Sequence, residues 1–245
     1  MTWPFENDTS GIVKRISNRS ISANRKRNIF IVLTIALASA LLSAIVLYGF
    51  GVMQETQNRN QKTAQIMYHA ISEQQGQELY KQEEIAWIGE FFNAFSEQVN
   101  HSTVNFTYAN ADMLTSQSMP YSGDLPASEN EIVVQESFLD SLGYSNELGQ
   151  TIQIPFSDGT THDFKLTGIL DVKTGDIGRY TAIISKELVR QQYGDEGMID
   201  YYIGLKGAQN MSEEEATNYA NTLAQQLEIS DDNVIVRSTY FNLKD

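Results

Sequence analysis

The spacing of apolar and polar positions divides the chain into three stretches of different character. Residues 29–52, IFIVLTIALASALLSAIVLYGFGV, contain no charged residue and no polar face. As a helix at about 1.5 Å per residue they would reach about 36 Å, enough to cross a bilayer core of about 30 Å with some tilt. Only Thr34, Ser39 and Ser43 interrupt the run, and each hydroxyl can bond a carbonyl one turn back. Tyr48 and Phe50 stand near its far end, where aromatic rings favour the interface. Ala36, Ala40 and Ala44 recur every fourth residue beside Ser39 and Ser43, a small-residue stripe that lets another helix backbone approach closely. Residues 10–28 are basic and rich in Ser and Asn. Ile12, Val13, Ile16 and Ile21 give this segment a weak apolar face for a membrane surface, or it is a solvated flank that only sets topology.

Beyond residues 53–61, a polar linker or helix extension, strand and helix periods alternate. Ala64, Ile66, Tyr68 and Ala70 share one face of a strand over 63–71. Residues 73–83 permit a helix, and 85–92, IAWIGEFF, read as a buried strand. Val104, Phe106 and Tyr108 alternate over 103–109, and a Gly, Pro, Ser and Asp-rich loop covers about 116–130. A strand at 131–135 leads to one or two helical turns stopped by Gly143. Ile152, Ile154 and Phe156 alternate, and Ser157-Asp158-Gly159-Thr160 turns the chain into a return strand over 162–172. A strand at 180–185 and a short helix at 186–193 follow. Ile199, Tyr201, Ile203 and Leu205 alternate next. Ser212 and Glu215 form a capping box before a helix that places Ala216, Tyr219, Ala220, Leu223 and Leu227 on one face. Val234-Ile235-Val236 closes with a strand.

Two strand–helix–strand units, at 62–93 and 199–238, therefore bracket a β-rich middle. The expected fold class is α+β: one N-terminal transmembrane helix, then a ferredoxin-like four-stranded antiparallel sheet with two helices on one face. The expected division is a porter-like α/β part at 62–100 and 195–240 with an inserted β-rich part at 101–194.

Charge changes the picture by orienting it. The chain has 245 residues and net charge −14, but residues 1–28 carry six basic residues against Glu6 and Asp8. Residues 53–245 carry 11 basic and 29 acidic residues, net −18. The cluster Arg25-Lys26-Arg27 abuts the apolar run, so the positive-inside rule places the N-terminus in the cytoplasm and everything after residue 52 outside. The small-x-small triplet Ala36-Leu37-Ala38 resembles a cleavage site, but the apolar run exceeds a signal core of about 7–15 residues. Strong acidity argues against a nucleic-acid partner. The absence of Cys removes disulfides, thiolate metal sites and a thiol nucleophile.

No catalytic, cofactor or metal residues stand out. His69, His101 and His162 are scattered and lack ligand spacing. There is no GxSxG elbow and no P-loop. Gly175-Asp176-Ile177-Gly178 reads as a loop, and Glu213-Glu214-Glu215 as first-turn acidity facing a helix dipole. The expectation is a non-enzyme with no cofactor. The best contact-surface residues are Trp87, Phe91, Met113, Met119 and Tyr121, because aromatic rings and methionine suit adaptable recognition.

Three stretches carry a family resemblance: residues 23–51, a basic lead-in before an Ala/Leu/Ser-rich span; residues 125–143, LPASENEIVVQESFLDSLG; and residues 148–170, LGQTIQIPFSDGTTHDFKLTGIL. In this order they resemble the N-terminal part of ABC-transporter permeases of the MacB/FtsX type. The resemblance implies a first span, a large extracytoplasmic domain and three further spans in a bacterial plasma membrane. It also implies a separate cytoplasmic ABC ATPase subunit, and pairing as a permease homodimer or with a second permease. Its implied work is to relay ATP-driven motion to the outer domain, for export or extraction of a peptide or lipid-like substrate, or for antimicrobial-peptide resistance. The matching stretches are structural and carry over no site residues. The further spans are absent from this sequence, so a fragment or a truncated permease is expected, with its partner helices supplied elsewhere. The competing reading is a single-span membrane-anchored sensor or ligand-binding module; an anchored enzyme ranks third.

Overall fold

A computed structural model describes residues 9–172, 179–194 and 199–242. The Gly175–Gly178 loop lies outside the described residues. The chain divides into two units, Met1–Gln57 and Asn58–Asp245.

The first unit is helical. Helix α1 spans Ser10–Ala23 and helix α2 spans Arg25–Lys62. Asn24 separates them: its φ of −106° and ψ of 23° leave helical values, and its side-chain amide donates to the Ser20 carbonyl at 3.1 Å. In α2 the stretch Arg25–Val52 is long and apolar enough to cross a membrane, and none of it is buried. The Thr34 hydroxyl donates to the Phe30 carbonyl at 2.8 Å. That bond satisfies the polar group without a partner helix, as its position one turn on requires.

The second unit is built on one sheet. Its first strand is β1 (Ile66–Ile71), followed by α3 (Glu73–Leu79), β2 (Ile85–Val99) and β3 (Ser102–Ala109). Then come α4 (Ala111–Ser116), β4 (Tyr121–Gly123), β5 (Glu131–Gln135), α5 (Glu136–Leu142) and the hairpin β6 (Thr151–Pro155) to β7 (Thr161–Leu170). The chain ends with β8 (Arg179–Ile184), α6 (Lys186–Tyr193), β9 (Ile199–Leu205), α7 (Glu213–Gln226), β10 (Val234–Val236) and α8 (Ser238–Asn242). The strand order is β10-β1-β9-β2-β3-β8-β5-β7-β4, with β6 paired to β7.

The strands β10-β1-β9-β2 are mutually antiparallel. Leu79 of α3 and Ala216, Ala220, Leu223 and Ala224 of α7 join Ile66, Tyr68, Tyr201 and Ile203 in one core. This is the two-helix, four-stranded arrangement that the bracketing units imply. Ser72 and Ser212 each start a helix through a full capping box, with Gln75 and Glu215 respectively.

The middle of the chain extends the same sheet rather than starting another. β2 runs on to Val99, seven residues past the apolar run, and turns into β3 through Asn100 and His101. Their φ values of 48° and 65° make the two-residue turn whose twist suits a hairpin. From β3 outward the sheet is mixed: β3/β8 and β5/β7 are parallel, β8/β5 antiparallel. A second core joins Val104, Phe106, Ile132 and Val134 to Phe138 of α5 and Leu188 of α6.

Two local expectations are corrected. Ala70 does not continue the buried face of β1: a bulge between Tyr68 and Ile71 gives it a φ of 48°, and Ile71 takes the buried position. The stretch at 116–130 is not all loop, because β4 pairs Tyr121–Gly123 against β7. Helix α4 precedes it, capped by Asn110, whose side-chain oxygen accepts from the Met113 amide at 2.9 Å.

Gly204 of β9 is required by a close approach. A Cβ there would meet the Trp87 indole at 1.9 Å. Gly204→Ala is expected to destabilise the protein by about 1–3 kcal/mol through overpacking. Urea unfolding followed by Trp87 fluorescence measures it, with Trp3 mutated to Phe to remove the other indole.

Candidate functional site

Side chains on a strand alternate between faces, and β2 shows what that does here. Glu90 and Phe92 face the helical layer. Phe91 and Asn93 face the opposite side, where α4 is the cover over β2. On that side a groove of about 370 Å³ opens between the sheet and α4. Its apolar wall is Phe91, Met113, Leu114, Met119, Ile183 and Tyr202, and Phe91 meets Tyr202 edge to face at 6.4 Å. Its polar floor is Asn93, Asn105, Thr107 and Thr181, with Gln117 at the rim. Register aligns Asn93 with Thr107 and Asn105 with Thr181 across three strands. Among the described residues lining it none is charged. The groove therefore offers neutral hydrogen-bonding groups and soft apolar contact, a lining suited to binding.

The helical side carries the charge. The Glu90 carboxylate is 5% exposed as a residue. It accepts from the Tyr80 hydroxyl at 2.9 Å, the Tyr108 hydroxyl at 2.5 Å and Lys186 Nζ at 3.0 Å. Lys186 lies 3.4 Å from Glu73, which Arg190 also bonds. Burial first, and then the Glu90 charge, push the Tyr80 and Tyr108 hydroxyls far above the ordinary phenol value. Both phenols therefore stay protonated and serve as donors. The Arg190 hydrogen bond leads the effects that lower the Glu73 carboxyl below its ordinary value, against a smaller opposing effect of burial. Phe92 and Tyr108 rim both hydrophobic cores, so this network lies along the seam between them.

The histidines stay apart: His69 Nδ1 lies 2.6 Å from Asp200, and His162 packs on Phe156 with ring centroids at 4.3 Å. Among the described residues no group of three or more potential ligands gathers to hold a metal.

Comparison with known proteins gives this geometry a context. The MacB-like periplasmic core domain family matches residues 29–223. The chain belongs to that family. It thus carries the periplasmic core domain of ABC-transporter permease-type proteins. The periplasmic region of MacB from Actinobacillus actinomycetemcomitans has a similar fold, with a TM-score of 0.50 at 12% identity over 70% of this chain and 86% of that one. The extracellular domain of the ABC-type transporter YknZ from Gram-positive bacteria aligns with a TM-score of 0.49 at 10% identity, over 71% and 98%. No curated protein sequence matches the chain.

Within this core domain the residues singled out from the sequence fall in different places. Phe91, Met113 and Met119 line the groove, and Met113 is 3% exposed, a wall rather than a surface side chain. Tyr121 packs in the small core behind the same groove. Trp87 lies over Gly204, outside the lining. Ala36, Ala40 and Ala44 are exposed along α2. Sequence reasoning missed the polar floor, although Asn105 and Thr107 stand opposite the apolar alternation of β3. It also missed the Glu73–Lys186–Glu90 network, whose members are up to 113 positions apart and share no motif.

Two measurements follow. Lys186→Met leaves Glu90 without its cation and is expected to cost about 3 kcal/mol, with part of the loss recovered in Glu90→Gln/Lys186→Met; chemical denaturation of the four proteins of the cycle reads this. Glu73 has its folded pKa lowered, so its stabilisation is present above the unfolded carboxylate value and is lost as pH falls through the folded one. Acidification below about pH 4.5 should therefore destabilise the wild type more than Arg190→Gln, checked by melting temperature against pH.

Proposed function

We propose that this chain is the N-terminal part of a permease subunit of a MacB/FtsX-type ABC transporter. In this reading α2 is the first span, α1 is cytoplasmic and the sheet domain is extracytoplasmic. The observation that carries the reading is continuity: the family match begins at residue 29, where the apolar run of α2 starts, and extends through the sheet domain. The sheet supports it. The chain comes into the domain on β1 and leaves it on β10, and Ile66 pairs with Val236 on those neighbouring strands. A domain entered and left at one edge can sit between two membrane helices without disturbing their packing.

ATP hydrolysis then belongs to a separate cytoplasmic ATPase subunit, a reading supported by the lack of a P-loop motif in this sequence. The outer domain relays the motion of that subunit, for export or extraction of a peptide or lipid-like substrate, with antimicrobial-peptide resistance as one use. Phe91, Met113 and Met119 line the surface that meets substrate or partner; Tyr121 backs that surface, and Trp87 supports the adjoining sheet. The stripe Ala36, Ala40 and Ala44 packs against other spans, in a permease homodimer or against a second permease. A single-span ligand-binding module is the second reading, favoured by the groove of about 370 Å³.

Topology and partnership test this. The chain has no Cys, so Asn18→Cys and Gln98→Cys each report one site. A membrane-impermeant maleimide is expected to label residue 98 on intact cells and residue 18 only after permeabilisation; the reverse pattern sinks the orientation. Purification of the tagged protein from host membranes in mild detergent is expected to bring down an ATPase. Its absence, together with saturable small-ligand binding abolished by Met119→Ala, would favour the second reading.

A further inference from the structure

Helix α1 exposes an apolar face that the helix itself cannot bury. Ile12, Val13 and Ile16 are 62%, 62% and 64% exposed. Their spacing of one and four places them on one side of the helix, and Ser20 falls between them by the same period. Lys14 and Arg15 occupy the other side, with Arg19 at the border. Residues 9–28 contain six basic residues and no acidic one. No acidic residue lies in the first turn of α1 either.

Two further observations identify what this face meets. Asn24 is a built helix stop, with non-helical ψ and its side chain spent on the Ser20 carbonyl. Helix α2 starts one residue later, at Arg25, and its uncharged run at Ile29. A one-residue connection keeps α1 at the level of the lipid headgroups, where their effective concentration is high. Arg25, Lys26 and Arg27 stand at the same level. Three aliphatic side chains alone bind a bilayer marginally, whereas basic residues add attraction to anionic headgroups.

We propose that α1 is an anionic-lipid-binding helix, lying along the membrane surface with Ile12, Val13 and Ile16 in the headgroup layer and Lys14, Arg15 and Arg19 on lipid phosphates. The inference rests on α2 being a membrane span, and is independent of which side of the membrane holds the N-terminus. Neutralising a cation on α1 should lower the ratio of bound to free helix about fivefold per charge.

The test uses the whole chain reconstituted in nanodiscs, either of phosphatidylcholine alone or of phosphatidylcholine with one-third phosphatidylglycerol. Spin labels are placed at Ser20→Cys on the apolar side and Asn18→Cys on the polar side. In anionic discs the label at 20 is expected to be shielded from a water-soluble nickel chelate and open to oxygen, while the label at 18 stays open to nickel. Neutral discs, molar salt, or the triple change Lys14→Gln, Arg15→Gln, Arg19→Gln should each restore nickel access at 20. Equal nickel access at 18 and 20 in anionic discs overturns the proposal and leaves the face to a protein. Shielding that is equal in neutral discs also overturns it, since lipid charge then plays no part. A third label at Ala40→Cys separates the premises: if it too is open to nickel, the span itself has failed.

Discussion

A carboxylate taken out of water must find its compensation inside the protein, and Glu90 finds it in groups from different parts of the chain. Tyr80 follows α3, Tyr108 is on β3 and Lys186 opens α6. Were any of these elements to shift, a buried charge would lose a partner at a cost of several kcal/mol. Glu73 and Arg190 repeat the tie nearer the surface, again between α3 and α6. The two hydrophobic cores share Phe92 and Tyr108 at their boundary. The network sets how their helical layers meet, and the sheet beneath them runs through without a break.

That constraint leaves the two sides of the sheet with different duties. The helical side holds most of the buried apolar surface and the ion network. The other side is covered over β2 by the short helix α4, and there the strands present Asn, Thr, Phe and Tyr to a groove. A binding surface needs side chains that are positioned but not consumed by packing. The strands position them through register, and the bulge between Asn93 and Phe95 ends the row. Met113 and Met119 add a wall that can adjust to different shapes.

As a membrane span, α2 would obey a different solvent. In hydrocarbon every backbone polar group must be satisfied within the segment, which an uninterrupted helix from Arg25 to Lys62 achieves. The same requirement explains the return bond of Thr34. Asn24, by contrast, interrupts the helix beside the basic cluster Arg25-Lys26-Arg27, where its side chain returns to the Ser20 carbonyl.

Sequence alone determined whatever depends on neighbours along the chain. The apolar run of residues 29–52, the Ser212–Glu215 capping box, the Asp158-Gly159 turn and the stop at Gly143 are local, and each was legible because a few adjacent residues settle its energy. The two bracketing units were legible too, since period-two and period-3.6 patterns survive any tertiary arrangement. The Asn100-His101 hairpin was not read because the second half of β2 is polar and lacks an apolar alternation. Tertiary structure alone decided that the middle strands join the first sheet, that β8 inserts in parallel beside β3, and that Glu90 meets Lys186. It also decided that Phe91 and Met113 face one groove while Trp87 turns onto Gly204. These outcomes rest on pairings between residues tens of positions apart, whose energy exists only once the chain has folded.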